Sequence, residues 1–118
     1  MDFLKKLYTE IPPLDGIRLL ELSVFPVENC VKVSLALLRI PDWIPAKWKS
    51  IRGNAIKIEL SFWCVNYSEI QMDSYAKNGN IAISKDAKGC LRICTTGPVN
   101  ALLIAEAASV SNVRFIII

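Results

Sequence analysis

The sequence predicts a mainly β fold (a β-rich α+β fold): an antiparallel sandwich or partly closed barrel of about eight strands with one short N-terminal helix. Apolar and polar residues alternate with period two in several segments, which is the pattern of half-buried strands. Turn residues separate these segments at short intervals. No helical crossover pattern lies between them, so consecutive strands are expected to pair antiparallel.

The N-terminal segment predicts the helix, over residues 2–9. Its apolar residues fall at the spacing i, i+1, i+4, i+5: Phe3, Leu4, Leu7 and Tyr8. Asp2 can cap the first turn, and Pro12-Pro13 would end the helix. Asp15-Gly16 then marks a turn into the first strand.

Three segments alternate most clearly, and each predicts a strand with one apolar face: Leu20–Val24, Val31–Leu37 and Ile56–Phe62. Five weaker strands follow, at 68–73, 79–85, 89–95, 100–107 and 112–118. Turn signals separate them: Asn78-Gly79, Lys88-Gly89, Gly97-Pro98 and Ser111-Asn112. Asp73 and Asp86 flank turns and are interpreted as turn caps. The last strand, VRFIII, is expected to be paired and covered, because an exposed apolar edge promotes aggregation.

Size and composition predict one domain spanning residues 1–118, since a chain of 118 residues buries a single core. Apolar runs such as 115–118 are far shorter than the roughly 20 residues that cross a bilayer. The segment MDFLKKLYTEIPP lacks the apolar region and cleavage site of a signal peptide. We therefore expect a cytoplasmic protein with reduced thiols and no membrane contact. The net charge of +3 is spread along the chain, which does not indicate nucleic-acid binding.

The chain contains no histidine, the commonest general base and a favoured metal ligand. We therefore expect no catalytic residues, no metal and no cofactor. The four cysteines, Cys30, Cys64, Cys90 and Cys94, raise the alternative of a zinc site. The closest pair has the spacing C-x3-C on a predicted strand, where the two residues lie about 13 Å apart. We interpret all four as small buried hydrophobic residues.

The segment RIPDWIPAKWKS, residues 39–50, places two tryptophans and three cations between two strong strands. Prolines stiffen this connection, and a tryptophan laid across the end of the sheet would bury about 200 Å². We favour this lid role for Trp48, while for Trp43 the lid and a partner contact remain equally open. Trp and cationic side chains also dominate protein interfaces. The candidate partner-binding residues are therefore Trp43, Lys47, Lys49 and Arg52, with Tyr67, Glu69 and Tyr75 on other connecting segments.

The same stretch carries a family resemblance. The pattern P-x-x-x-P-x-x-W is followed by N-x-x-x-x-x-L-x-F, formed by Pro41, Pro45, Trp48, Asn54, Leu60 and Phe62. Leu7-Tyr8, Pro12 and Leu14 precede it, and a late apolar segment runs from Leu102 to Val113. In this order the chain resembles the immunity protein 50 family. The resemblance implies a bacterial protein that neutralises a cognate secreted toxin by binding and occluding it.

Two other classes of function remain alternatives to a toxin inhibitor. The chain could be a generic β-rich interaction module, including a homodimer paired through VRFIII. It could also be an enzyme that uses a cysteine or a carboxylate, which the lack of histidine makes the least favoured interpretation.

Overall fold

The computed structural model describes residues 17–38, 45–48, 53–73 and 78–117, and over these ranges the protein is mainly β, as predicted. The strands are β1 (Arg18–Phe25), β2 (Cys30–Leu37), β3 (Ala55–Met72), β4 (Asn80–Lys85), β5 (Leu91–Thr96) and β6 (Val99–Ile116). A short 3-10 helix, Ala46–Trp48, lies between β2 and β3. The predicted N-terminal helix, residues 2–9, lies outside the described residues.

All six strands belong to one antiparallel sheet in the order β1-β2-β3-β6-β5-β4. The sheet is neither a sandwich of two sheets nor closed into a barrel by a continuous ladder. Its first and last strands meet at one isolated bridge, where Ile17 and Gly79 exchange hydrogen bonds of 2.9 and 2.8 Å. The bridge ties the two sheet edges together at a single point.

The prediction of about eight strands is corrected to six in the described ranges, although every predicted segment overlaps a strand. The segments 56–62 and 68–73 are both parts of β3, and 100–107 and 112–118 both contribute to β6. The two long strands pair with each other from Ala55↔Ile116 to Met72↔Val99. Ladder hydrogen bonds on both sides of these residues therefore keep the two strands extended through positions that favour turns in isolation.

Bulges bend these long strands where the sequence suggested breaks. In β6 the extra residue is Ser111, in the predicted Ser111-Asn112 turn, and its hydroxyl is hydrogen-bonded to that of Ser61. In β3 the register shifts at Asn66, beside Cys64, whose φ is +54°. Just beyond the end of the β2 pairing, the Val65 amide donates to the Asn29 carbonyl in the β1–β2 turn at 3.2 Å. A bulge inserts one residue and increases the local twist, so the chain bends without ending the strand.

The core lies on one face of the curved sheet. Its centre is formed by the predicted apolar faces of β2 and β3, which are fully buried: Val31, Val33, Leu35, Leu37, Ile56, Ile58, Leu60 and Phe62. Ile81, Ile93 and Leu103, from the other half of the sheet, join the same cluster. The period-two alternation therefore identified the central core strands correctly.

The predicted apolar face of β1 is correct only in part. Leu22 packs against the core as predicted, and so does Leu19, whereas Leu20 and Val24 are exposed. A bulge at Leu20 accounts for the positions of Leu19 and Leu20, because Leu19 pairs with Leu35 while Glu21 pairs with Ser34. One extra residue reverses which alternate side chains face the core.

Candidate interaction surface

An apolar groove opens between β1 and the C-terminal half of β3. β2 pairs with β3 only up to Trp63, and residues of β3 beyond that point line the groove together with residues of β1. The groove has a volume of about 330 Å³. Its apolar walls come from three strands: Leu19, Leu20 and Leu22 of β1, Ile70 and Met72 of β3, and Val99 of β6. We call this feature the β1–β3 groove.

The β1–β3 groove exposes apolar side chains above a buried base. Val33 and Thr95 line it and are almost inaccessible to solvent. Met72 is 84% exposed, and Leu20 and Ile70 are exposed as well. Large exposed apolar residues grouped around a concavity are typical of binding surfaces, whereas isolated ones need no explanation.

Two carboxylates complete the groove, Glu21 from β1 and Asp73 just after β3. The Ser23 hydroxyl donates a 2.6 Å hydrogen bond to Glu21 Oε1, which holds that carboxylate in place. The described lining residues include no Lys or Arg. The groove is therefore locally acidic on a chain whose net charge is +3.

Tyr67 and Glu69 are the two predicted partner residues that the structure brings together. Both are exposed in the C-terminal half of β3, and the Tyr67 hydroxyl donates to Glu69 Oε2 at 3.0 Å. This hydrogen bond to the carboxylate raises the pKa of Tyr67, because it stabilises the protonated phenol. Side chains alternate along a strand, so this pair projects to the opposite face from Ile70.

Lys47 lies at the other end of β3, next to the lid. Trp48 is 8% exposed and stacks on Phe115 with ring centroids 5.8 Å apart, which confirms its predicted lid role. Phe115 pairs with Ile56 near the start of β3, whereas Tyr67 lies eleven residues further along that strand. Lys47 is exposed beside the lid but does not share a surface with the Tyr67–Glu69 pair.

The remaining predicted partner residues, Trp43, Lys49, Arg52 and Tyr75, lie outside the described residues. The β1–β3 groove itself was not predicted from the sequence. Its two carboxylates lie more than fifty positions apart, and simple alternation did not place Leu19 on the core face of β1. The only available signal was the acidic residue Glu21 between leucines, which is also ordinary for an edge strand.

The cysteines do not behave as one class. Cys30 is buried as predicted, Cys64 is exposed, and Cys90 and Cys94 are intermediate; all four are free thiols. Cys64 is exposed at the bend of β3, so its interpretation as a buried residue is wrong. Within the described ranges no three side chains of Cys, Asp or Glu lie close enough to hold a metal ion.

Asp86 is a turn cap as predicted, since its Oδ1 accepts hydrogen bonds from the Lys88 and Cys90 amides at 2.8 and 2.9 Å.

Replacing Glu106 by Gln is expected to make Cys64 more reactive. The Cys64 thiol hydrogen-bonds to Glu106, and this bond, with smaller effects of desolvation and of the carboxylate charge, raises the pKa of Cys64. Removing the charge lowers that pKa, which increases the thiolate fraction and the alkylation rate at pH 8. Iodoacetamide labelling with peptide mass spectrometry measures the rate at Cys64 alone. Glu69→Gln is the control, and an unchanged rate in Glu106→Gln would contradict the contact.

The described part of the chain contains no helix long and apolar enough to span a membrane. Its fold and surface define a single-sheet antiparallel β protein with an apolar, acid-rimmed groove at one end of its core. The family model described as Immunity protein 50 matches residues 2–116, and the chain belongs to that family. Searches of curated proteins and of solved structures find no match to the chain.

Proposed function

We propose that this protein binds a cognate secreted antibacterial toxin in the cytoplasm and neutralises it by occlusion. The observation that carries the proposal is the family match over residues 2–116, which covers nearly the whole chain. Immunity by occlusion requires a stable scaffold with one complementary surface, and it requires no catalysis, metal or cofactor. The antiparallel sheet, with its long β3–β6 pairing, is suited to present such a surface.

Two surfaces of the described residues support contact with a protein partner. The β1–β3 groove offers apolar side chains inside a polar rim, which is the usual anatomy of an interface. The Tyr67–Glu69 pair lies on the same half of β3 and adds an aromatic residue with a fixed acceptor. Lys47 belongs to a separate surface near Trp48. Trp43, Lys49, Arg52 and Tyr75 stay candidate contacts from the sequence.

Co-expression with the toxin encoded by the neighbouring gene tests the proposal. We expect cells that produce the toxin domain to survive when this chain is produced with it, and the two purified proteins to co-elute as one complex. An immunity protein of an unrelated toxin serves as the control and should not protect. Killing that continues at high levels of the folded chain would reject the proposal.

A homodimeric assembly module is the second candidate, favoured by one observation on β6. Strand β5 pairs with β6 only over Ala101–Ala105, so among the described residues β3 is the one strand that pairs with the segment 107–116. An unpaired strand edge can accept a strand from a second copy. Sedimentation separates the candidates, because a monomer at high micromolar concentration contradicts the dimer.

A further inference from the structure

We infer that the β1–β3 groove is the toxin-contact site, and that its occupant is an apolar side chain of the toxin flanked by an Arg or Lys. The inference rests on the proposed function, because it names the contact face of that interaction and the chemistry of the toxin segment held there. It follows from the size, the lining and the charge of the groove.

The size and lining of the groove select the apolar part of the occupant. A volume of about 330 Å³ is at the lower end of the range of small-ligand pockets, and it suits one or two protein side chains rather than a helix. Leu20, Ile70 and Met72 remain exposed around it. An inserted side chain would remove these three from water together with its own surface, as anchor residues do at interface hot spots.

The charge of the groove selects the polar part of the occupant. Glu21 and Asp73 are on its lining, and no described lining residue is a cation. The Ser23 hydrogen bond orients Glu21 without neutralising its charge. An Arg or Lys beside the inserted side chain would meet these carboxylates, and Arg could do so through two parallel hydrogen bonds. A segment carrying Asp or Glu at that position would be repelled.

The Tyr67–Glu69 pair places a further carboxylate on the opposite face of the same part of β3. Ile70 and Met72 face the groove, whereas Glu69 belongs to the alternate face of the same strand. Beyond Trp63 this edge of β3 is not paired with β2. A toxin segment that fills the groove and crosses this edge would therefore meet a third carboxylate, Glu69.

Binding of the purified toxin domain to matched variants tests the inference. Ile70→Trp fills the groove, and its control is Ile83→Trp on β4, because both isoleucines are 37% exposed and only Ile70 lines the groove. Glu21→Lys reverses the charge at the groove, and its control is Glu28→Lys in the exposed β1–β2 turn. Circular dichroism and thermal unfolding must first show that all four variants keep the wild-type fold.

We expect Ile70→Trp and Glu21→Lys each to raise the Kd for the toxin by about tenfold or more, mainly through faster dissociation for Ile70→Trp and slower association for Glu21→Lys. The two controls should stay within about twofold of wild type. If wild type binds and all four variants bind equally well, the groove inference is wrong while the proposed function stands. A concentration-dependent dimer that Ile70→Trp abolishes would assign the groove to a second copy and would also overturn the inference.

A second measurement decides the inference if the toxin does not bind at all. The probes are N-acetyl-Phe-Arg-amide and N-acetyl-Phe-Glu-amide, titrated into the isotopically labelled chain and followed by amide chemical shifts. We expect the Arg probe to shift the amides of Leu19, Leu22, Ile70 and Val99, and the Glu probe to shift them much less. Equal shifts with both probes, or shifts confined to other strands, would contradict the predicted occupant.

Discussion

Replacing Phe62 by Ala should destabilise the protein by about 3–5 kcal/mol. Phe62 is fully buried in β3, between Val31 of β2 and Ala108 of β6, and it is among the largest completely buried side chains described. Its removal loses the transfer free energy of the ring and leaves a cavity that the paired strands cannot close. Equilibrium unfolding in guanidinium chloride, followed by circular dichroism, measures the change in the free energy of unfolding.

Phe25→Ala is the matched control for Phe62→Ala. Phe25 is the last residue of β1 and is 38% exposed. Its replacement by Ala removes only a partly buried ring and the cation–π contact with Lys32, whose Nζ lies 5.2 Å from the ring centroid. We expect a cost of about 1 kcal/mol. Equal costs for the two substitutions would mean that the core is not centred on β2 and β3.

Replacing Gly97 by Ala should cost about 3 kcal/mol or more, because two effects add at this position. Gly97 has a φ of +111°, which L side chains rarely adopt. A Cβ there would also lie 2.6 Å from the Asn78 carbonyl oxygen and from the Gly79 Cα, both of which are backbone atoms. Gly79 forms the bridge to Ile17, so the clash of the new Cβ with the Gly79 backbone is expected to weaken the bridge between the two sheet edges.

Gly89→Ala separates the two effects at Gly97. Gly89 also has a positive φ, +84°, but a Cβ there would meet nothing within 4 Å. We expect about 1 kcal/mol from the backbone conformation alone. Amide hydrogen exchange at Ile17 and Gly79 should accelerate in Gly97→Ala and stay unchanged in Gly89→Ala. Similar costs and similar exchange in both variants would rule out the close approach.

These stability measurements also serve as controls for the binding experiments, because they separate loss of folded protein from loss of a contact. A variant such as Phe62→Ala lowers the population of the folded chain, so it would weaken toxin binding without touching the interface. Glu21→Lys and Ile70→Trp change groove residues that are exposed or partly exposed, and should leave the free energy of unfolding near that of wild type. Loss of binding without loss of stability is therefore the signature of a contact residue in this protein.

Much of the fold could be predicted because its central strands have simple alternation. Val31–Leu37 and Ile56–Phe62 each bury one complete apolar face, and both faces lie in the core. Trp48 was predictable as a lid because a large aromatic ring in a proline-stiffened connection has much to gain from burial. Asp86 was predictable as a turn cap because its side chain bonds amides only two and four residues away.

The β1–β3 groove could not be predicted because it depends on three nonlocal events. The bulge at Leu20 turns Leu19 and Leu22 toward the core, the bulge at Asn66 bends β3, and the bridge Ile17–Gly79 brings the two sheet edges together. Each bulge is defined by the residue across the ladder, which lies elsewhere in the chain. Local sequence patterns, propensities and spacings contain no information about which residue lies across the ladder.

By itself, the amino-acid order determined a mainly β protein, its central core faces, its tryptophan lid and its resemblance to a family of toxin inhibitors. Alternation and turn preferences depend only on residues that are close together in the sequence, so they can be recognised without knowledge of the fold. The tertiary structure alone decided that eight strand-forming segments become six strands of one sheet in the described ranges, and that Glu21 and Asp73 line the same apolar groove. Cross-strand hydrogen bonds between distant residues stabilise the long strands, and these bonds exist only once the sheet has formed.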